Sequence, residues 1–297
     1  MTAASQTSNF GSERPASSPL SLALDFLTAR ELDSADFIRA AARHGFRSVS
    51  LPVQPALGME HRFRDYDLIG DTPSRRAVRG AIDDEGVGVD VAEVIALWDD
   101  SDVAALRPAL ESAAYLGAAG LVAVAVHRDP AGIAESFARL DEMAQEFGLK
   151  VLIEYMAISS VNSLGAAVGI IDAIGSTNIS VMVDPLHLVR TGGTVEALRA
   201  LDPRYIGRAQ ICDGPLASTM DPVEEAIDHR GIPGEGEFPL ASFVEALPAG
   251  LTLGVEVPLR ELIDRGVGPD ERIRRALEGT RKVLAQAAAK PLGGMGA

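Results

Sequence analysis

Four oxygen-bearing side chains occur at or near the ends of successive short apolar runs in the second half of the chain. Glu154 lies within VLIEYM, Asp184 within VMVDPLH, Gln210 within RAQICD and Glu256 within LGVEVP. A carboxylate at the end of an apolar strand is costly to desolvate unless it is paired or bound to a cation. Three carboxylates and one amide oxygen form a hard ligand set that suits Mg²⁺ or Mn²⁺, with Co²⁺ tolerated, better than zinc. The pattern therefore predicts one divalent metal held by these four residues.

Arginine pairing offers a second interpretation of the same acids. Arg208 lies two residues before Gln210, so strand alternation places both side chains on one face, one layer apart. In that case the carboxylates would neutralise arginine inside the fold instead of binding a metal. Both interpretations stay open at this point.

Histidines that follow the apolar runs are candidate substrate contacts. His187 comes three residues after Asp184 in DPLH, a strand end and turn that would direct both side chains to the same place. His127 follows the run GLVAVAV and is the next candidate, whereas His61 and His229 have no assigned role. We therefore expect His187 and His127 to bind substrate.

An arginine and a further acid complete the set of candidate substrate contacts. Arg230 stands beside three glycines in HRGIPGEGEF, where its planar five-donor group could bind substrate oxygens or an acid. The glycine-rich loop is interpreted as a lid, or more simply as a flexible surface loop. Glu93 is expected at the same mouth, as is Asp213.

A repeating fold must position these residues. Eight apolar, β-branched runs alternate with eight segments whose apolar residues recur at helical spacing. The helical segments are 34–44, 74–85, 102–116, 131–147, 164–174, 195–201, 241–247 and 271–288. This pattern fits the α/β class and a single (β/α)8 TIM barrel, in which the carboxyl ends of the strands carry the chemistry. A doubly wound open sheet is disfavoured, because the turn after the first strand, TARELDS, has no glycine-rich phosphate loop.

Composition and the chain ends limit the setting in which this barrel works. Residues 20–288 are expected to form the barrel, between a disordered tail at 1–19 and a flexible tail at 289–297. A net charge of −15 with no long basic run argues against nucleic-acid and membrane partners. One cysteine excludes an intrachain disulfide and no signal pattern begins the chain, so a cytoplasmic location is expected.

The strand-end residues, together with DPLHL, QICDGP and RGIPGEGEFPL, resemble the xylose isomerase-like barrel superfamily of sugar phosphate isomerases and epimerases across residues 20–288. The resemblance implies that Glu154, Asp184, Gln210 and Glu256 bind one divalent metal. It also implies that the two glutamates flank the substrate carbon and move its proton, and that His187 contacts a substrate oxygen. Many epimerases of the superfamily have histidine where this chain has Gln210, although glutamine also occurs there, including among dehydratases.

The resemblance favours a metal-dependent isomerase or epimerase. Its substrate would be a small polyhydroxylated carbonyl compound, such as a sugar, keto sugar or sugar phosphate, deprotonated next to its carbonyl to give an enediolate. A lyase on the same scaffold, similar to dehydroshikimate or inosose dehydratases, is the alternative that Gln210 motivates. A non-catalytic subunit that holds a metal and a ligand is the third hypothesis. Members of the superfamily are often dimers or tetramers, so a homo-oligomer is also a candidate state.

Overall fold

Eight parallel strands close into a barrel in the computed structural model, which describes residues 20–54, 68–126 and 130–289. Each strand pairs with the next along the chain, and β1 pairs with β8 to close the ring. This confirms the predicted (β/α)8 barrel. The strands are β1 Ser21–Leu24, β2 Ser48–Pro52, β3 Gly88–Trp98, β4 Gly120–Val126, β5 Lys150–Glu154, β6 Ile179–Val183, β7 Ile206–Ile211 and β8 Thr252–Val255.

Helices follow the strands around the outside of the barrel, as the helical spacing predicts. They are α1 Ser34–Arg43, α2 Pro73–Glu85, α3 Arg107–Leu116, α4 Pro130–Glu146, α5 Leu164–Ile174, α6 Pro185–Arg190, α7 Val195–Ala200, α8 Pro222–Asp228, α9 Leu240–Ala246, α10 Arg260–Asp264 and α11 Pro269–Ala289. Several ends match their sequence signals. Helix α5, for example, starts at the cap Ser163, whose side chain accepts from Ala166 N, and stops at Gly175 with φ 72°.

The three short helices α6, α8 and α10 were not expected from helical spacing. Two of them, α6 and α8, begin with the same dipeptide, Asp184–Pro185 and Asp221–Pro222, in which the aspartate caps the first turn and proline occupies its first position. Helix α3 starts later than predicted, because Pro108 lacks the N–H that would continue the preceding turn, and a 3₁₀ turn covers Val103–Leu106. The short helix α6 matters for function because it carries His187.

The interior of the barrel is partly apolar and partly charged. Val91, Val122, Leu152 and Met182 form a small buried cluster separate from the large core that contains the apolar faces of the helices. Arg208 is 1% exposed and contacts this cluster through its Nη1, 3.5 Å from the sulfur of Met182. A fully buried guanidinium requires acidic partners, so acids must also reach the interior. Among the described residues, no helix is both long and apolar enough to span a bilayer.

Candidate active site

A cavity of about 280 Å³ opens among the segments at the carboxyl ends of the strands, where a barrel of this type carries its chemistry. Its walls are mostly apolar, and five ionisable side chains also line it. The apolar residues include Phe26, Pro52, Val94, Ala96, Trp98, Val124, Val126, Met156 and Ile158; the ionisable ones are Glu93, Glu154, His187, Arg230 and Glu256. A small ligand would therefore meet charge on one side and apolar surface on the others.

Glu154 and His187 lie side by side in this cavity. Glu154 is the last residue of β5, and His187 is in the short helix that follows β6. The Nε2 atom of His187 is 3.4 Å from Oε1 of Glu154, and both side chains are less than 10% exposed. By hydrogen-bond criteria the Nε2 atom has no partner among the described residues, so it is available to a ligand oxygen.

Arg230 joins two of the predicted metal ligands. Its Nη1 is 2.6 Å from Oδ2 of Asp184 and 2.5 Å from Oε2 of Glu256, and its Nε donates to the carbonyl of Ala226. The side chain is 3% exposed, so its position is fixed by these contacts. The glycine-rich loop therefore delivers a buried cation to the site. Of the two roles considered for Arg230, the structure shows the contact with acids.

Arg230 lowers the pKa values of both Asp184 and Glu256, but their net shifts are opposite. Burial raises the pKa of Glu256 to about 8; Arg230 opposes the rise, whereas Asp25 and the other nearby carboxylates reinforce it. Burial acts in the same direction on Asp184, but Arg230 and His187 together hold the pKa of that carboxyl below its ordinary value. Burial also raises the pKa of Glu93 well above the usual range, with Asp25 and Glu256 adding to the effect. Negative charge is thus in excess in this part of the barrel.

Gln210 lies beside Asp184 in the barrel but contacts a residue that the sequence did not single out. Its Nε2 donates to Oδ2 of Asp25 at 3.0 Å, and its Oε1 is buried without a hydrogen-bond partner in the described part of the chain. Asp25 comes directly after β1 and is fully buried. Both of its oxygens also accept from Arg208, at 2.5 and 2.9 Å. The signal for Asp25 was present in LALDFL, an apolar run that ends in aspartate as VMVDPL does.

The arginine-pairing interpretation is therefore partly right, with a different arginine. Arg208 pairs with Asp25 and Asp90, whereas Asp184 and Glu256 pair with Arg230. The reason is height along the strands: Arg208 lies one layer below Gln210, while Arg230 comes back over the strand ends from the loop that follows β7.

Two groups of buried side chains could hold a metal ion. Ligand atoms of Glu154, Asp184 and His187 lie within 4.8 Å of one another, and so do those of Asp25, Glu93 and Glu256. The predicted set is thus divided between two groups that Arg230 connects. The residues fit a divalent cation, because carboxylates that gather around a guanidinium also favour a metal, and because the free Oε1 of Gln210 is a suitable donor.

Other candidates have different positions. Asp213 does not face the mouth: its carboxylate accepts from the backbone N–H groups of Gly214, Gly234 and Phe238, and so fastens the glycine-rich loop. Met182 lies two residues before Asp184 on the same face of the strand, one layer deeper, and belongs to the interior cluster. His61, His127, the predicted tail at 1–19 and residues 290–297 of the predicted tail at 289–297 lie outside the described residues, and Ala289 is the last residue of α11.

Known proteins share this architecture. An inosose isomerase from Bacillus velezensis is 26% identical over 159 residues, which are 52% of this chain and 55% of that protein, so the match spans about half the length of the relative. The crystal structure of an IOLI protein with a bound zinc atom matches with a TM-score of 0.74 and 16% identity, covering 91% of this chain and 100% of the other.

A D-allulose 3-epimerase from Methylomonas sp., in complex with D-allulose, matches with a TM-score of 0.63 and 14% identity, covering 90% of this chain and 99% of the other. At such identities the solved structures show the fold alone. The family model described as xylose isomerase-like TIM barrel, however, matches residues 38–283, which is most of the sequence. The chain therefore belongs to the xylose isomerase-like TIM barrel family.

Proposed function

We propose that this protein is a divalent-metal-dependent isomerase or epimerase of a small polyhydroxylated carbonyl compound. The observation that carries the proposal is that two carboxylates, Glu154 and Glu256, line one small cavity, each beside a basic side chain. Two carboxyl groups around one ligand can remove a proton from carbon and return it. The inosose isomerase and D-allulose 3-epimerase among the similar proteins support a sugar-like substrate.

Glu154, Asp184, Gln210 and Glu256 would hold the metal, with Mn²⁺ or Mg²⁺ preferred and Co²⁺ accepted. When bound, such an ion polarises carbonyl and hydroxyl oxygens and so acidifies the neighbouring C–H. Zinc enters as a further candidate through the IOLI structure, which contains it.

The chain's own residues would divide the remaining work. Glu154 and Glu256 move the proton at the carbon next to the carbonyl, one as base and the other, or the same one, as acid. His187 donates from its free Nε2 to a substrate oxygen, and Arg230 places positive charge beside the enediolate as it forms. Glu93 and His127 are assigned to substrate binding. The apolar walls exclude water from the reacting carbon.

Solvent deuterium tests this proposal. Protein stripped with a chelator and reloaded with Mn²⁺ is incubated in D₂O with a panel of keto sugars and inososes, and substrate and product are analysed by mass spectrometry and NMR. With Mn²⁺ we expect deuterium to be incorporated at the carbon next to the carbonyl. In the metal-stripped protein we expect no incorporation. Glu154→Gln should abolish exchange even at Mn²⁺ concentrations that saturate the variant. Full exchange in the stripped protein would refute the metal requirement.

A lyase is the second candidate, favoured by the apolar walls around Trp98 and Met156 and by Gln210 at the end of β7. Loss of a β-hydroxyl after the same proton abstraction would give an unsaturated carbonyl product. The same incubations separate the two reactions, because dehydration creates an ultraviolet chromophore and a mass loss of one water. Metal binding without exchange or elimination across the panel would instead favour the non-catalytic binding subunit.

A further inference from the structure

The side-chain amide of Gln210 has two chemically different ends, and only one of them can bind a cation. Its oxygen is a metal ligand, whereas its NH₂ group is a donor that a metal ion repels. A glutamine in the predicted ligand set therefore works only if its amide is held in one of its two orientations. The family resemblance assigns a ligand to this position but does not say what orients it here.

Asp25 supplies a contact that distinguishes the two ends. Its Oδ2 lies 3.0 Å from Nε2 of Gln210, and both side chains are at most 1% exposed. In the opposite orientation an amide oxygen would face a carboxylate oxygen at that distance, in the absence of water, and the two acceptors would repel each other. The Oε1 atom is left buried and without a partner among the described residues.

Arg208 keeps Asp25 an acceptor. Its Nη1 and Nη2 donate to the two oxygens of Asp25 in a bidentate pair, while its Nε donates to Asp90 at 2.7 Å. Both oxygens of Asp25 are therefore fixed in place by donors, and the oxygen that faces Gln210 meets its amide as an acceptor.

The neighbouring strand leaves space for this arrangement. Gly254 is the register partner of Gln210 on β8. A Cβ atom at Gly254 would lie 2.1 Å from Oδ2 of Asp25 and 2.6 Å from Nη2 of Arg208. The Asp25–Arg208 pair therefore requires a residue without a side chain at position 254, and glycine at that position indicates that the local sequence is adapted to the pair.

We propose that Asp25, fixed by Arg208, is a positioning residue that turns the Oε1 atom of Gln210 toward the metal. This inference rests on the proposed function, since it needs the metal, but it concerns residues at the ends of β1 and β7 that the proton transfer does not use.

Metal affinity of three variants tests the proposal. Asp25→Asn removes the charge and replaces one of the two acceptor oxygens by an NH₂ group, so Arg208 and Gln210 no longer both have fixed acceptors, the Gln210 amide is less firmly oriented, and Mn²⁺ should bind about tenfold or more weakly. Asp90→Asn is the matched control: it removes the other acid from Arg208, does not contact Gln210, and should change affinity by less than about twofold. Asp25→Asn combined with Gln210→Glu exchanges donor and acceptor, and should recover most of the affinity.

Binding is measured by calorimetry with Mn²⁺ alone, after chelator treatment, and folding by circular dichroism. Wild-type affinity in Asp25→Asn, or no recovery in the double variant, would overturn the proposal while leaving the proposed function intact. A wild-type protein that binds no Mn²⁺ would overturn both. If Asp25→Asn does not fold, neutron diffraction from the wild-type protein decides: amide deuterium on the atom facing Asp25 supports the proposal, and deuterium on the other atom refutes it.

Discussion

Replacing Arg230 by methionine should destabilise the metal-free protein and make it more responsive to metal. The substitution keeps an unbranched side chain but removes the cation that contacts Asp184 and Glu256. Breaking a buried ion pair by removing one partner costs about 3–5 kcal/mol, because the remaining charge stays out of water. At roughly 2 °C per kcal/mol for a domain of this size, the melting temperature should fall by about 6–10 °C.

Added Mn²⁺ should reverse much of this loss. In the wild-type protein the ion would share both carboxylates with the guanidinium, which holds one oxygen of each, whereas in Arg230→Met all four oxygens are free of it. A ligand at 100 times its dissociation constant stabilises the folded state by about 2.7 kcal/mol. The increase in melting temperature on adding Mn²⁺ should therefore be larger in the variant than in the wild type.

Thermal unfolding by calorimetry, with chelator and then with excess Mn²⁺, measures both effects. Arg190→Met is the matched control, because Arg190 makes a comparable pair with Glu225, at 2.7 Å, without contacting the predicted metal ligands. It should lose stability and show the wild-type response to Mn²⁺. Equal metal responses in the wild type and Arg230→Met would show that the guanidinium and the metal do not compete for these acids.

Three further predictions test the surroundings of the site. Arg208→Met should lower the free energy of unfolding, measured in urea, by about 3–5 kcal/mol. Adding Asp25→Leu should recover most of this loss, because an apolar pair then replaces the buried ion pair. A double variant as unstable as the single variant would contradict this prediction. Gly254→Ala should lower the melting temperature and weaken Mn²⁺ binding, since its Cβ would overlap Asp25. Asp213→Ala removes the acceptor of three backbone N–H groups, so the segment around Gly234 should exchange its amide hydrogens faster in mass spectrometry.

The fold could be predicted because its signal is periodic and repeated. Runs such as GLVAVAV for β4 and ISVMV for β6 are too short and too uniformly apolar for surface helices, and each is followed by helical spacing. The short helices α6 and α8 have too few turns to show a period, and their only signal is the Asp–Pro start. Barrel closure itself required only counting the eight units.

The site could be predicted in part. Strand ends identified Glu154 and Glu256, which line the cavity, because their position depends only on the local run. The partner of each acid could not be predicted in this way, since Arg230 reaches Asp184 from 46 residues further along the chain. Asp25 was not among the predicted residues, although its run, LALDFL, has the same form as VMVDPL.

The balance of buried charge gives the strongest physical reason to expect a metal. Five buried carboxylates gather at this end of the barrel, those of Asp25, Glu93, Glu154, Asp184 and Glu256, against the buried guanidinium groups of Arg208 and Arg230. Burial and the neighbouring carboxylates raise the pKa values of Glu93 and Glu256, which is the physical consequence of this excess in the metal-free protein. A divalent cation would lower these pKa values and return the carboxylates to the ionised form, which is the form that can remove a proton from carbon. Under the proposed function, metal binding and the readiness of the glutamates for catalysis would be consequences of the same excess of acid.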